Sequence, residues 1–313
     1  MKKRSMFALL ASIVMLAACS TSNPIPPTTA IESLEPAQVP ASGRLRVAGT
    51  TTLVGDLLHQ VGGELIDLHV ILPPGRDPHD FQATPGDMRA VSGVAVIFVS
   101  GFGLEGNMLN SLADSLPDIA RVDLSQGIQP LGNSTTFDPH VWLDPFNVEQ
   151  WAENAAEALG RLDPQNAASY TANARAYTSR LQSLDAWIRD QVNAIPASDR
   201  LLVTDHHMLD YFARRYGFDV VGTIIPGYSS EAEPSAQDLA QLEDEIRSSG
   251  AKAIFIEHAS NSQLAQTVAA DTGAQIVPLY VGALSDAKGL AADYISMMQY
   301  DVQAITKALQ PQQ

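Results

Sequence analysis

Seven histidines stand in the 313 residues, and three occupy places where an imidazole does more than fill a core or a surface. His79 in DPHDF and His140 in DPHVW repeat one tripeptide, each imidazole following a proline that fixes the approach of the chain. His206 comes straight after the apolar run LLVTD, where a helix is expected to begin at a strand carboxyl end, the place where ligands collect in α/β sheets. Three imidazoles from separate segments, converging with a carboxylate, meet the four-coordinate demand of zinc and suit other late transition metals. A single cysteine rules out a thiolate-rich zinc or iron–sulfur site, so metal chemistry here rests on histidine and carboxylate. The chain has no HExxH, GxSxG or P-loop.

The remaining histidines read as structural. His59 and His69 fall inside a helix and a strand, with no repeated local pattern. On a helix His207 would point about 100° away from His206 and would not share its metal. His258 follows Glu257 at the end of AKAIFIE, and Glu257 is placed to bond a histidine or a loop at the cleft.

The elements that position these residues follow an α/β order. LRVAG (45 to 49) reads as a buried strand, 50 to 63 as an amphipathic helix ending in glycines, and 64 to 72 as a second strand. The same order returns roughly 150 residues later with LLVTD, a helix over 206 to 217 and a strand over 218 to 225. Each half continues through a proline-bearing loop, ATPGD or AEPSAQD, into a helix and an apolar strand, VAVIFV or AKAIFIE. Two pseudo-symmetric α/β lobes with mostly parallel sheets, and a ligand cleft between them, explain this duplication. The lobes are expected at 44 to 163 and 196 to 313. Between them a long helix over 164 to 195, begun at Pro164, would act as a stiff connector of about 40 Å that opposes wide hinge closure.

Gly101, Gly103 and Gly106 spell GxGxxG after a strand, with Asp123 downstream, which is the outline of a dinucleotide site. That fingerprint belongs to the first βαβ unit, however, and a strand, helix and strand already precede it here, so these glycines read as a loop.

The N-terminus carries an address. Lys2, Lys3 and Arg4 precede an apolar run over 5 to 18 that is too short to span a bilayer, the pattern of a secretory signal over 1 to 18. LAAC, ending at Cys19, resembles the lipobox at which bacterial lipoproteins are cleaved and acylated, and the Pro-, Ser- and Thr-rich stretch 19 to 43 reads as a flexible tether. The formal charge of −16 provides no basic field for nucleic acid.

Taken together, PHDFQATPGDM, SGFGLEG, DPHVWLDP, TDHHMLDYFARRYGF, AEPSAQDL, AIFIEHASN and YISMMQYDV resemble the metal-binding solute-binding lipoproteins of zinc and manganese ABC transporters over nearly all of 44 to 308. The resemblance implies two lobes on a backbone helix, one divalent metal in the cleft, and His79, His140 and His206 as ligands. It further implies a monomer lipid-anchored through Cys19 on the extracytoplasmic face, delivering metal to a membrane permease driven by a cytoplasmic ATPase. Many relatives have an aspartate where this chain has Gly282, so the fourth ligand is expected from Asp286, with Glu231, Glu257 or water as alternatives. Manganese relatives tend to carry a carboxylate in place of the third histidine, so His206 points to Zn²⁺ ahead of Mn²⁺. No histidine occurs in 107 to 137, so no accessory histidine-rich loop is expected. The rival reading is a zinc hydrolase that uses the open fourth position of a three-histidine site.

Overall fold

The computed structural model describes residues 28–132, 136–258 and 263–310; the signal run, Cys19 and the start of the tether lie outside them. The first half runs β1 (Leu45–Gly49), α1 (Thr52–Gly62), β2 (Ile66–Val70), α2 (Pro85–Val91), β3 (Val96–Val99), α3 (Gly106–Ser115) and β4 (Ala120–Asp123). Two helices follow, α4 (Pro145–Leu162) and α5 (Ala167–Val192). The second half then runs β5 (Leu201–Thr204), α6 (Asp210–Tyr216), β6 (Asp219–Thr223), α7 (Ala236–Ser249), β7 (Ala253–Glu257), α8 (Gln263–Thr272), β8 (Gln275–Leu279) and α9 (Tyr294–Leu309).

The duplication is visible in the hydrogen bonding. The sheets have the orders β2-β1-β3-β4 and β6-β5-β7-β8, and every pairing is parallel. Central strands β3 and β7 are buried at every position, which is why VIFV and AIFIE are continuous apolar runs rather than alternating ones. The proline-bearing loops end in the same device, since Thr84 with Asp87 and Ser235 with Asp238 form capping boxes that start α2 and α7. In each sheet the chain leaves the first strand to one side and returns on the other, so the loops diverge beyond β1/β3 and beyond β5/β7 and open a crevice there.

One apolar core runs through both halves. It joins the inner faces of the two sheets to α4, α5 and α9 and contains Trp142, Trp151, Tyr170, Tyr211 and Phe212, while smaller clusters fill the outer face of each sheet. At 26 residues α5 is about 39 Å long and braces both halves. A shared core of this kind resists large rotation of one lobe against the other.

Three expectations are corrected. The tether is not loose to residue 43. Ile31 and Leu34 are buried in the core, Thr29 N–H donates to the Arg121 carbonyl of β4, and Ala37 N–H donates to the Leu162 carbonyl. Two apolar side chains thus hold a segment whose composition alone suggested mobility. Ile31→Ala is expected to destabilise the fold by about 2 to 3 kcal/mol, read from the urea midpoint; an unchanged midpoint would mean that this segment does not pack.

The helix expected from His206 begins only at Asp210. The intervening backbone is spent elsewhere: Asp205 accepts His206 N–H, Thr204 Oγ1 donates to the His206 carbonyl, and His207 N–H donates to the Gly227 carbonyl. The connecting helix likewise starts at Ala167, after a 3₁₀ turn over Pro164–Asn166.

The glycine-rich loop is a turn and not a dinucleotide site. Gly101 has φ +103°, and a Cβ there would stand 2.2 Å from Asp123 Oδ1, so Asp123 packs onto the glycine and accepts Ser125 N–H.

Candidate metal centre

His79, His140 and His206 are brought together at the divergence of the loops. They come from the β2–α2 connection, from the segment before α4 and from the end of β5, and their relative exposures are 8%, 1% and 1%. His140 is the hub, with its Nε2 3.2 Å from His79 Nε2 and 3.3 Å from His206 Nε2. Ring centroids lie 5.1 to 5.4 Å apart, so the three rings form a nearly equilateral group.

Aspartates missed in the sequence orient the rings. Both DPH tripeptides use the same turn, in which the aspartate accepts the N–H of the histidine two residues on, Asp77 for His79 at 2.8 Å and Asp138 for His140 at 2.9 Å. Asp138 Oδ1 also lies 2.8 Å from His140 Nδ1, which places the proton on Nδ1 and turns the Nε2 lone pair inward. Asp205 Oδ1 lies 2.9 Å from His206 Nδ1 but off its N–H direction, so their attraction is electrostatic. The repeated Asp in DPH was the available signal for this role.

Burial keeps His79 and His140 neutral. It drives His79 down to about 3, with His140 adding to the effect, and it holds His140 well below its usual value, with His206 adding. Burial pushes Asp138 up to about 7. At Asp205 burial acts upward, but the His206 ring and backbone donors outweigh it and hold the carboxyl below its ordinary value.

Protons therefore do not compete with metal for His79 and His140 near neutrality. Between about pH 7.5 and pH 5.5 zinc affinity is expected to fall by about tenfold at most in a competition titration, because His79 and His140 do not take up protons there. A fall of a hundredfold or more centred near 6.5 would contradict this. The sign on stability of the metal-free protein is the opposite of a salt-bridged histidine: the His79 contribution is full above 6.5 and declines as the pH falls toward about 3, because the unfolded chain binds the proton more readily.

The fourth position differs from expectation. Asp286 is exposed and its Oδ1 accepts Lys288 N–H, so the structure does not bring it to the histidines. Four residues beyond Gly282 the chain has already turned outward to solvent. Glu231 is exposed as well. Glu257 is buried and accepts Gly282 N–H at 2.9 Å, and a Cβ on Gly282 would stand 2.6 Å from Glu257 Oε1 and 3.0 Å from Pro78. The glycine thus leaves room for the glutamate, whose carboxyl is pushed up to about 8 by burial and then by Asp77 and Asp205. Among the described residues no carboxylate joins the three-histidine group. His59 and His69 sit in α1 and β2, His207 pairs with Asp210 at 3.1 Å, and His258 stacks on Tyr280 at 4.5 Å.

Two parallel-sheet lobes on a bracing helix, with a buried imidazole cluster between them, define a metal-binding protein of the solute-receptor class. The family model described as zinc-uptake complex component A, periplasmic, matches residues 47–308, and the chain belongs to that family. The manganese-binding lipoprotein MntA of Halalkalibacterium halodurans is 34% identical over 268 residues, 85% of this chain and 88% of the relative. The iron-binding protein YfeA of Yersinia pestis is 32% identical, covering 84% and 86%. Among solved structures, the periplasmic zinc binding protein TroA from Treponema pallidum superposes with a TM-score of 0.80 at 29% identity, covering 86% of this chain and 100% of that one. The chain is thus a metal-binding substrate-binding protein of the ABC-transporter type and not an enzyme, which removes the hydrolase reading.

Proposed function

We propose that the chain captures one Zn²⁺ through His79 Nε2, His140 Nε2 and His206 Nε2 and releases it to the membrane permease of an importer driven by a cytoplasmic ATPase. The observation that carries this reading is the Nε2 spacing of 3.2 and 3.3 Å. Tetrahedral zinc with nitrogen at about 2.0 to 2.1 Å separates its ligand atoms by about 3.3 Å. Three nitrogen donors with no carboxylate among the described residues favour zinc, because manganese prefers harder oxygen ligands. Water completes the fourth position in place of Asp286. The chain works as a monomer on the extracytoplasmic side, held to the membrane by acylated Cys19. Among the described residues no helix is long and apolar enough to cross a membrane.

A manganese reading draws on relatives such as the manganese-binding lipoprotein MntA. Competitive calorimetry of metal-free protein beginning at residue 20 separates the two. One tight zinc per chain with weak manganese supports the proposal; manganese preference would transfer the assignment to that ion, and tight binding of neither would remove it.

A further inference from the structure

We infer that α6 is a clasp that sets the spacing of His140 and His206 across the lobes, with Tyr211 and Arg215 as positioning residues; this rests on the metal reading above. Only four residues separate these two side chains, so they project from one face of α6, the helix that follows His206. Each grips one end of the segment bearing His140. The Tyr211 hydroxyl accepts Leu131 N–H at 2.9 Å and donates to the Asp138 carbonyl at 3.4 Å. Leu131 and Asp138 are themselves paired, Asp138 N–H donating to the Leu131 carbonyl, so the hydroxyl bonds both members of a pair that ends two residues before His140.

At the other end, Arg215 Nε lies 3.1 Å from Asp144 Oδ1 and 2.8 Å from Asp185 Oδ1. Asp144 is also the cap of α4, accepting Phe146 N–H, and Asp185 belongs to α5. One guanidinium therefore ties the His140 segment, the helix behind His206 and the connecting helix at a single point. Its side chain is 20% exposed and the two carboxylates are 8% and 18% exposed, and the Phe146 ring lies 5.7 Å from its Cζ, so the node is shielded from water and salt. Among the described residues the 3.3 Å approach of the two rings has no direct bond between their own segments to hold it, and α6, continuous with His206, grips both ends of the segment that carries His140.

The test uses Co²⁺ as the probe, since its visible spectrum reports coordination geometry, together with zinc competition. Arg215→Met and Tyr211→Phe are compared with Arg189→Met, which removes another ion pair to Asp185 without touching the His140 segment. Arg215→Met is expected to raise the Kd for Co²⁺ and Zn²⁺ about ten- to a hundredfold and to shift the Co²⁺ bands, with Tyr211→Phe changing both in the same direction and Arg189→Met leaving both as in the wild type. Wild-type-like binding and spectra in Arg215→Met and Tyr211→Phe would overturn the clasp, as would equal losses in all three variants, which would mark a general structural role. If Arg215→Met does not fold, Tyr211→Phe, which loses a single hydroxyl, decides alone. Absence of Co²⁺ binding by the wild type would instead overturn the metal reading itself.

Discussion

His140→Ala is expected to weaken zinc binding by about two to three orders of magnitude while leaving the metal-free fold in place. Zinc sites of four ligands are worth about 10 to 16 kcal/mol, so one donor carries roughly a quarter of that. His140 is the donor with most at stake, since it stands within 3.2 and 3.3 Å of both other Nε2 atoms and is the ring fixed by Asp138. The fold survives because the shared core is made of other residues, and alanine keeps the backbone N–H that Asp138 accepts. Zinc competition and circular dichroism on the same sample check both halves. Binding within tenfold of the wild type would displace His140 from the site, and loss of the apo fold would show the cluster to be a structural keystone.

Trp142→Ala is expected to destabilise the protein by about 3 to 5 kcal/mol. The side chain is fully buried, its ring meets Trp151 at 6.1 Å and His140 at 5.4 Å, and Nε1 donates to the Val281 carbonyl. Its own carbonyl accepts the Tyr294 hydroxyl. The residue thus joins the His140 segment of one lobe to β8–α9 of the other, and truncating its side chain leaves a cavity and strips the Val281 carbonyl of its donor. Urea unfolding would show the loss; a change under about 1 kcal/mol would mean that the site collapses without penalty.

Particular residues show which parts of this were readable from sequence. The apolar runs VAVIFV and AKAIFIE, the paired proline-bearing loops ATPGD and AEPSAQD and the two DPH tripeptides point to strands, helix starts and imidazole positions by local chemistry, and together with the family resemblance they lead to two lobes and to His79, His140 and His206 as one group. What escaped depends on approach between distant segments. The close fit of Glu257 against Gly282 is settled by the neighbouring backbone, and nothing in LYVGALSD tells that Asp286 faces solvent. Docking of Ile31 and Leu34 rests on two side chains in a proline-rich context, too few to give a period. The grip of Tyr211 and Arg215 on residues 131 to 144 likewise has no sequence pattern, because its partners lie some 70 to 80 positions apart.

The most direct measurement is X-ray absorption at the zinc edge on protein beginning at residue 20 and loaded with one equivalent of Zn²⁺. Three imidazole nitrogens at about 2.0 to 2.1 Å, one further light atom and no sulfur are expected. A shell with fewer than three imidazoles, or one dominated by carboxylate oxygen, would contradict the three-histidine site.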